Sequence, residues 1–198
     1  MKNARGKFIV LYGINNLGKT TQAKKIVERL NAQNIAAEYL KYPVYSIKHS
    51  GPLLNNYLRE GNKHGLSARE VQIIYVLNKT QFEKILEAKL AAGINIIAED
   101  YIGTGLAWGI GTGVDETFLK ELNSHLLRED LAFLFDGERF LSGRENNHKF
   151  ETDDELTQRV RFIHQLLGEE FGWIKINANL SIDEINEILY KQILNKIK

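Results

Sequence analysis

Residues 7–20 read Lys7-Phe8-Ile9-Val10-Leu11-Tyr12-Gly13-Ile14-Asn15-Asn16-Leu17-Gly18-Lys19-Thr20. The first six form a short, apolar, β-branched run ended by a glycine, which predicts a buried strand. The last eight are a complete G-x-x-x-x-G-K-T. Its glycines let the backbone curl until successive N–H groups face one point, and the following helix adds its own N-terminal N–H groups. That is a cradle for phosphate, in which Lys19 reaches the β- and γ-phosphates and the Thr20 hydroxyl ligates Mg²⁺. Average composition gives the pattern by accident on the order of one time in a hundred for a chain of this size. A chance match has no reason to fall between a strand and a helix. Gly13, Asn15, Asn16, Leu17, Gly18, Lys19, Thr20 and Thr21 are therefore the expected ATP-binding residues.

Working outward, Ala23, Ile26, Val27 and Leu30 recur at helical spacing and predict a helix over 18–30. Further strands are predicted over 35–40, 94–98, 131–135 and 173–176. Helices are predicted over 51–59, 67–91, 115–127, 153–171 and 181–197. Ser67, with Glu70 three residues on, is a capping box that starts the long third helix. No element is predicted between 98 and 115. Strands alternating with helices imply βαβ units, hence an α/β fold: a five-stranded parallel P-loop sheet with helices on both faces.

The chain has 198 residues, the size of one α/β domain with a substantial core. Within it, a substrate-side cap is expected at about 42–78 and a short lid at about 137–152. A net charge of +1 offers no basic field for nucleic acid or an anionic membrane surface, so a local cluster must hold any anionic ligand. The absence of cysteine removes disulfides, thiolate nucleophiles and Cys-based zinc sites. No apolar run is long enough for a membrane span, and the run at Phe8 is too short for a signal-peptide core. A soluble, cytoplasmic protein is expected.

Two more segments carry chemistry. Ile94-Asn95-Ile96-Ile97-Ala98 ends in Glu99-Asp100. Ligands of open α/β sheets bind beyond the carboxyl ends of the strands, which places both carboxylates beside the phosphate cradle. One of them can then hold the Mg²⁺ shell or polarise an acceptor. Residues 137–152 carry Arg139, Arg144, His148 and Lys149, and a guanidinium on a mobile lid can close over ATP and exclude water. The five histidines (His49, His64, His125, His148, His164) show no i, i+4 metal pairing and are expected at the surface or in packing. The stripe Ile182, Ile185, Leu189, Ile193 is expected to be core, with Lys191, Lys196 and Lys198 on a solvated face.

Taken together, the chain resembles the thymidylate kinase family, and the resemblance runs through most of its length. Phe8 to Leu11, Gly13 to Thr21 and Gln22-Ala23-Lys24-Lys25 are similar to that family's opening strand, P-loop and first helix. Tyr42-Pro43, then Leu53-Leu54 and Tyr57-Leu58, resemble its substrate-side segment. Tyr75-Val76-Leu77-Asn78-Lys79 resembles the stretch where an aromatic stacks on thymine and a basic residue contacts the nucleotide. Glu99-Asp100-Tyr101 with Thr104-Gly105 lines up on the family's Asp-Arg-Tyr and Ser-Gly. Phe150-Glu151 and Arg159-Val160-Arg161 close the order. The resemblance implies Mg²⁺ with ATP as co-substrate, dTMP as acceptor and a homodimer. It implies Lys19, Glu99, Asp100 and Arg144 as catalytic residues, with Thr20 and Glu99 on the metal. Asn15, Pro43, Tyr45, Tyr75, Lys79 and Tyr101 are the implied acceptor-binding residues.

The departures concentrate at the acceptor. The family usually has Glu where Tyr12 stands, Asp at Asn15 and a small residue at Leu17. The arginine after the acidic strand end is Asp100 here, and the one two residues after the proline is Tyr45. Lys41, Lys48 and Lys79 are the candidates to supply charge, each as a point rather than a fork. Two rival readings stand beside dTMP phosphorylation. A deoxynucleoside kinase is one, although only Glu99 matches that class's Glu-Arg-Ser. A nucleotide-binding member without kinase activity is the other.

Overall fold

The computed structural model describes residues 5–140 and 153–198. Its elements run β1 (Phe8–Tyr12), α1 (Lys19–Asn31), β2 (Ala37–Lys41), α2 (Ser50–Arg59), α3 (Ala68–Ala91) and β3 (Asn95–Glu99). They continue with α4 (Ile102–Gly111), α5 (Glu116–Leu122), β4 (Leu131–Asp136), α6 (Asp154–Phe171), β5 (Ile174–Asn177) and α7 (Ile182–Ile197). The five strands form one sheet in the order β2-β3-β1-β4-β5, and every pairing is parallel.

Central position explains the composition of β1. All five of its side chains are fully buried, because a parallel sheet is covered on both faces. Helices α1 and α7 pack together on one face, while α3, α4 and α6 lie side by side on the other. The capping box at Ser67 forms as expected, with Glu70 N–H on the Ser67 hydroxyl and Ser67 N–H on the Glu70 carboxylate.

Three expectations need correction. Residues 102–111 form a helix where none was predicted, and α5 is shorter than the expected 115–127. Four of the ten residues of α4 are glycines, a composition that works against helix in isolation. Packing explains why the helix forms regardless. A Cβ at Gly109 would stand 2.7 Å from Leu119, and one at Gly111 would stand 2.6 Å from Val160. Bare backbone therefore lets α4 seat closely against α5 and α6. Third, Ile182 begins the apolar stripe of α7 but is 53% exposed, whereas Ile185, Leu189 and Ile193 are core. It occupies the first turn, where its carbonyl accepts from the Gln22 side chain of α1 at 2.8 Å while its own side chain faces solvent.

Candidate active site

The chain leaves β1 through Gly13 at φ 128°, passes Asn16 at φ 63° and enters α1 through Gly18 at φ 79°. These left-handed positions make the curl, and at Gly13 a side chain would collide with the Phe135 carbonyl. Leu17 points out of the curl into the core with 1% exposure, so its bulk does not enter the loop. No side chain caps α1, which leaves its first-turn N–H groups directed at the loop opening. Lys19 folds back across this opening. Its ammonium donates to the carbonyls of Gly13 at 2.9 Å and Ile14 at 2.8 Å and lies 3.8 Å from Asp100.

The acidic end of β3 sits beside it. Glu99 Oε2 accepts from the Thr20 hydroxyl at 2.6 Å and from the Tyr39 hydroxyl at 2.8 Å, and Oε1 pairs with Lys41 at 3.0 Å. Burial pushes the Glu99 carboxyl up, but Lys19, Lys41 and the two hydroxyl bonds outweigh it, and the net direction is down. Asp100 takes the left-handed conformation, φ 63°, that turns the chain from β3 toward α4. It accepts from the Thr104 hydroxyl at 2.9 Å. Burial raises its pKa, Lys19 lowers it and Glu99 raises it again, leaving it above the usual carboxylate range. The neighbouring carboxylates thus differ, with Glu99 the more firmly ionised.

Thr20 and Glu99 converge at hydrogen-bond distance with hard oxygen donors, a set that fits Mg²⁺. Among the described residues no cluster of three or more His, Asp or Glu could form an all-protein metal cage.

Loop, strand end and α3 enclose one cleft of about 420 Å³. One end is formed by residues 15–21, with Phe140 over Gly18 and the Phe140 N–H donating to the Asn16 carbonyl. Its far end is aromatic, from Tyr45, Tyr75 and Trp108, with Gln72 and Lys79 beside them. Lys79 is 4% exposed, and burial lowers its pKa from 10.5 to about 7. Asn78 fixes the wall between the two ends. It receives the Val44 N–H at 2.8 Å, donates to the Val44 carbonyl at 2.9 Å and donates to Ser50 at 3.0 Å. The segment that carries cis Tyr42-Pro43 and Tyr45 is thereby tied to α3.

Most of the sequence-predicted site residues come together on this wall: Asn15 through Thr21, Pro43, Tyr45, Tyr75, Lys79, Glu99 and Asp100. Gly13 stands behind the loop. Tyr101 borders the cleft, yet its ring packs between Phe8 at 5.0 Å and Tyr42 at 4.9 Å and is 2% exposed. Tyr12 points away, stacked 4.2 Å from Trp173 with its hydroxyl on Glu129. Lys41 lines the cleft and Lys48 does not. Arg144 and the expected lid beyond Phe140 lie outside the described residues. Sequence reading did not single out Arg59, Gln72, Trp108 or Phe140. Gln72 had a usable signal, one helical turn before Tyr75 on the same face.

A central strand feeding a phosphate cradle, an acidic strand end beside it and an aromatic pocket beyond define a P-loop nucleotide kinase architecture. The thymidylate kinase family model matches residues 11–188, and the chain belongs to that family. It is similar to the thymidylate kinase of Homo sapiens, 28% identical over 195 residues that cover 94% of this chain and 89% of that one. Similarity to the Danio rerio thymidylate kinase is 27% over 192 residues, 94% of this chain and 89% of that one. The solved thymidylate kinase of Candida albicans superposes with a TM-score of 0.81, covering 98% of this chain and 94% of that one at 20% identity. At that identity the likeness speaks to the fold.

Proposed function

We propose that this chain transfers the γ-phosphate of ATP to dTMP, giving dTDP. One observation carries the reading: in a member of the thymidylate kinase family, a single cleft joins the phosphate cradle to an aromatic pocket through Glu99 and Asp100. A donor and an acceptor can therefore lie end to end, as in-line transfer requires.

Thr20 and Glu99 would hold Mg²⁺, which neutralises charge on the β- and γ-oxygens. Lys19 exchanges its loop carbonyls for those oxygens, and Asp100, 3.8 Å away, steers its ammonium. Tyr39 and Lys41 keep Glu99 ionised and oriented. Tyr75 stacks on the acceptor base and Lys79 contacts the nucleotide, with Pro43 and Tyr45 closing that side. Arg144, from a lid at 137–152, closes over the transferring group. The chain acts as one domain with a substrate-side cap at about 42–78. A homodimer fits the large apolar side chains exposed on α3 (Ile73, Leu77) and α6 (Phe162, Leu166). Cytoplasmic ATP is the natural donor for such an enzyme.

The test is ADP release with ATP, Mg²⁺ and a panel of nucleosides and monophosphates. The expected best acceptor is dTMP. Thymidine exceeding dTMP would make the chain a nucleoside kinase, and no acceptor-dependent ADP would make it a non-catalytic binder.

A further inference from the structure

Two polar side chains at the aromatic end of the cleft are buried without a partner. Gln72 is 5% exposed and Lys79 is 4% exposed, and both line the cleft. Among the described residues neither takes part in a hydrogen bond or an ion pair, and no nearby charge offsets the burial of the Lys79 ammonium. Every other buried amide among the described residues (Gln22, Asn78, Asn95, Asn123, Asn186) makes at least one hydrogen bond. Amides that serve only the fold are engaged in this way. The Gln72 amide faces the cleft with its donors and its acceptor unused.

Two helices set its position. Gln72, Tyr75 and Lys79 follow one another at i, i+3 and i+7 and so share one face of α3. Opposite them α4 carries Gly105 and Gly109, one turn apart. A Cβ at Gly109 would stand 3.2 Å from the Gln72 amide carbon. One at Gly105 would stand 3.6 Å from Gln72 Oε1 and 3.3 Å from Lys79 Nζ. Bare backbone on α4 thus lets the amide and the ammonium close on one spot, and packing against that backbone orders the glutamine before a ligand arrives. A base stacked on Tyr75 has Gln72 one turn before it and Lys79 one turn after.

The pattern of donors and acceptors then selects the base. A glutamine amide offers an acceptor and a donor side by side, whereas a lysine ammonium offers donors only. Thymine and uracil present two carbonyls flanking N3–H. N3–H can donate to Gln72 Oε1 while one carbonyl accepts from the amide N–H and the other from Lys79. Cytosine sets an amino group against the Lys79 ammonium, donor to donor. Turning the Gln72 amide over would satisfy its bare N3 only by setting Oε1 against O2. We infer that Gln72 is a specificity-determining residue that, together with Lys79, reads the carbonyl, N3–H, carbonyl edge of the acceptor base and so selects a pyrimidine-2,4-dione over a 4-aminopyrimidine. A site whose buried polar groups are left unpaired by the wrong ligand discriminates strongly. The assignment rests on the reading that the acceptor is dTMP, and it names the residue that sets the choice of base.

Titration calorimetry and steady-state kinetics below about pH 7, where Lys79 carries its proton, compare dTMP, dUMP, dCMP and N3-methyl-dTMP. Gln72→Met keeps the volume and removes the amide. It should raise the KM of dTMP and dUMP alike, about ten- to a hundredfold, with kcat near wild type and with the KM values of dCMP and ATP within about twofold. Wild type should bind N3-methyl-dTMP about tenfold or more weakly than dTMP, and the gap should close in Gln72→Ala. Melting curves establish folding, and should Gln72→Met not fold, Gln72→Ala decides. Equal losses for dTMP and dCMP make Gln72 a packing residue and overturn the inference. So does wild-type protein that binds dTMP and its N3-methyl form equally well. Wild-type protein that turns over dTMP while the Gln72 variants behave identically refutes only this assignment; wild-type protein that ignores dTMP refutes the parent reading.

Discussion

Replacing Lys79 by methionine should make this protein more stable and a poorer kinase. The lysine is 4% exposed on the cleft wall, and burial alone takes its pKa from 10.5 to about 7. At 1.36 kcal/mol per tenfold change in proton affinity, that drop of roughly 3.5 in pKa corresponds to about 5 kcal/mol of desolvation cost carried by the folded state. Methionine fills a similar volume without charge. Water entry and relaxation of the wall return part of the cost, so a gain of about 2 kcal/mol or more is expected for Lys79→Met near neutral pH.

The pH dependence has a definite sign. The unfolded chain keeps this proton up to pH 10.5, the folded protein only to about 7. Below about pH 7 both states are charged and the folded state bears the full cost. Between pH 7 and 10.5 the folded state sheds the proton, and the cost falls by about 1.36 kcal/mol for each pH step. The advantage of methionine should therefore be greatest at or below pH 7, shrink as pH rises, and be gone by 10.5. Urea unfolding of both proteins at about pH 6.5 and about pH 8.5 measures it. Equal or lower stability of Lys79→Met at the lower pH, or an advantage that ignores pH, would refute the claim that the ammonium is held in an apolar wall. The same substitution should raise the KM for dTMP more than that for ATP.

Three further outcomes are expected. Lys19→Ala should cost about a thousandfold or more in turnover with the circular dichroism spectrum unchanged, because the transferring phosphates lose their counter-charge; retention of a tenth of the activity, by order of magnitude, contradicts the donor assignment. Tyr75→Ala should raise the KM of the acceptor and leave that of ATP near wild type, a loss of about 1–3 kcal/mol by analogy with base stacking elsewhere; equal damage to both substrates marks a packing residue. Asp136→Asn tests the end of β4: burial raises this carboxyl, but Lys175, Arg161 and Gln165 hold it down at about 2. Its ionised form therefore stabilises the fold by about 2 kcal/mol above pH 4, a contribution lost as pH falls from about 4 to about 2. Wild type and Asp136→Asn should converge in stability over that window, and parallel acid-unfolding curves would show the ion pairs to be inert.

The sequence by itself determined whatever depends on local spacing. Phe8 to Thr20 announce strand, curl and helix because the strand's apolar run, the glycines and the lysine must be contiguous to work. Ser67 and Glu70 announce the start of α3 for the same reason: a capping box closes within one turn. Element order then implied a parallel sheet, and the sheet placed Glu99 and Asp100 beside the loop. Tertiary structure decided what depends on distant parts of the chain. Helix α4 exists because α5 and α6 accept its bare glycines, a preference no local window of Gly103 to Gly111 contains. Tyr12 turns into the core because a central strand has two buried faces to fill, and Leu17, in the loop that follows, is buried against the same core. Tyr39 reaches Glu99 across 60 positions, Asn78 holds Val44 across 34, and Arg59 covers the Tyr45 ring from a different element. Such partners are chosen by where the strands and helices come to rest, because side-chain charge and shape act over a few ångströms of space whatever the separation along the chain.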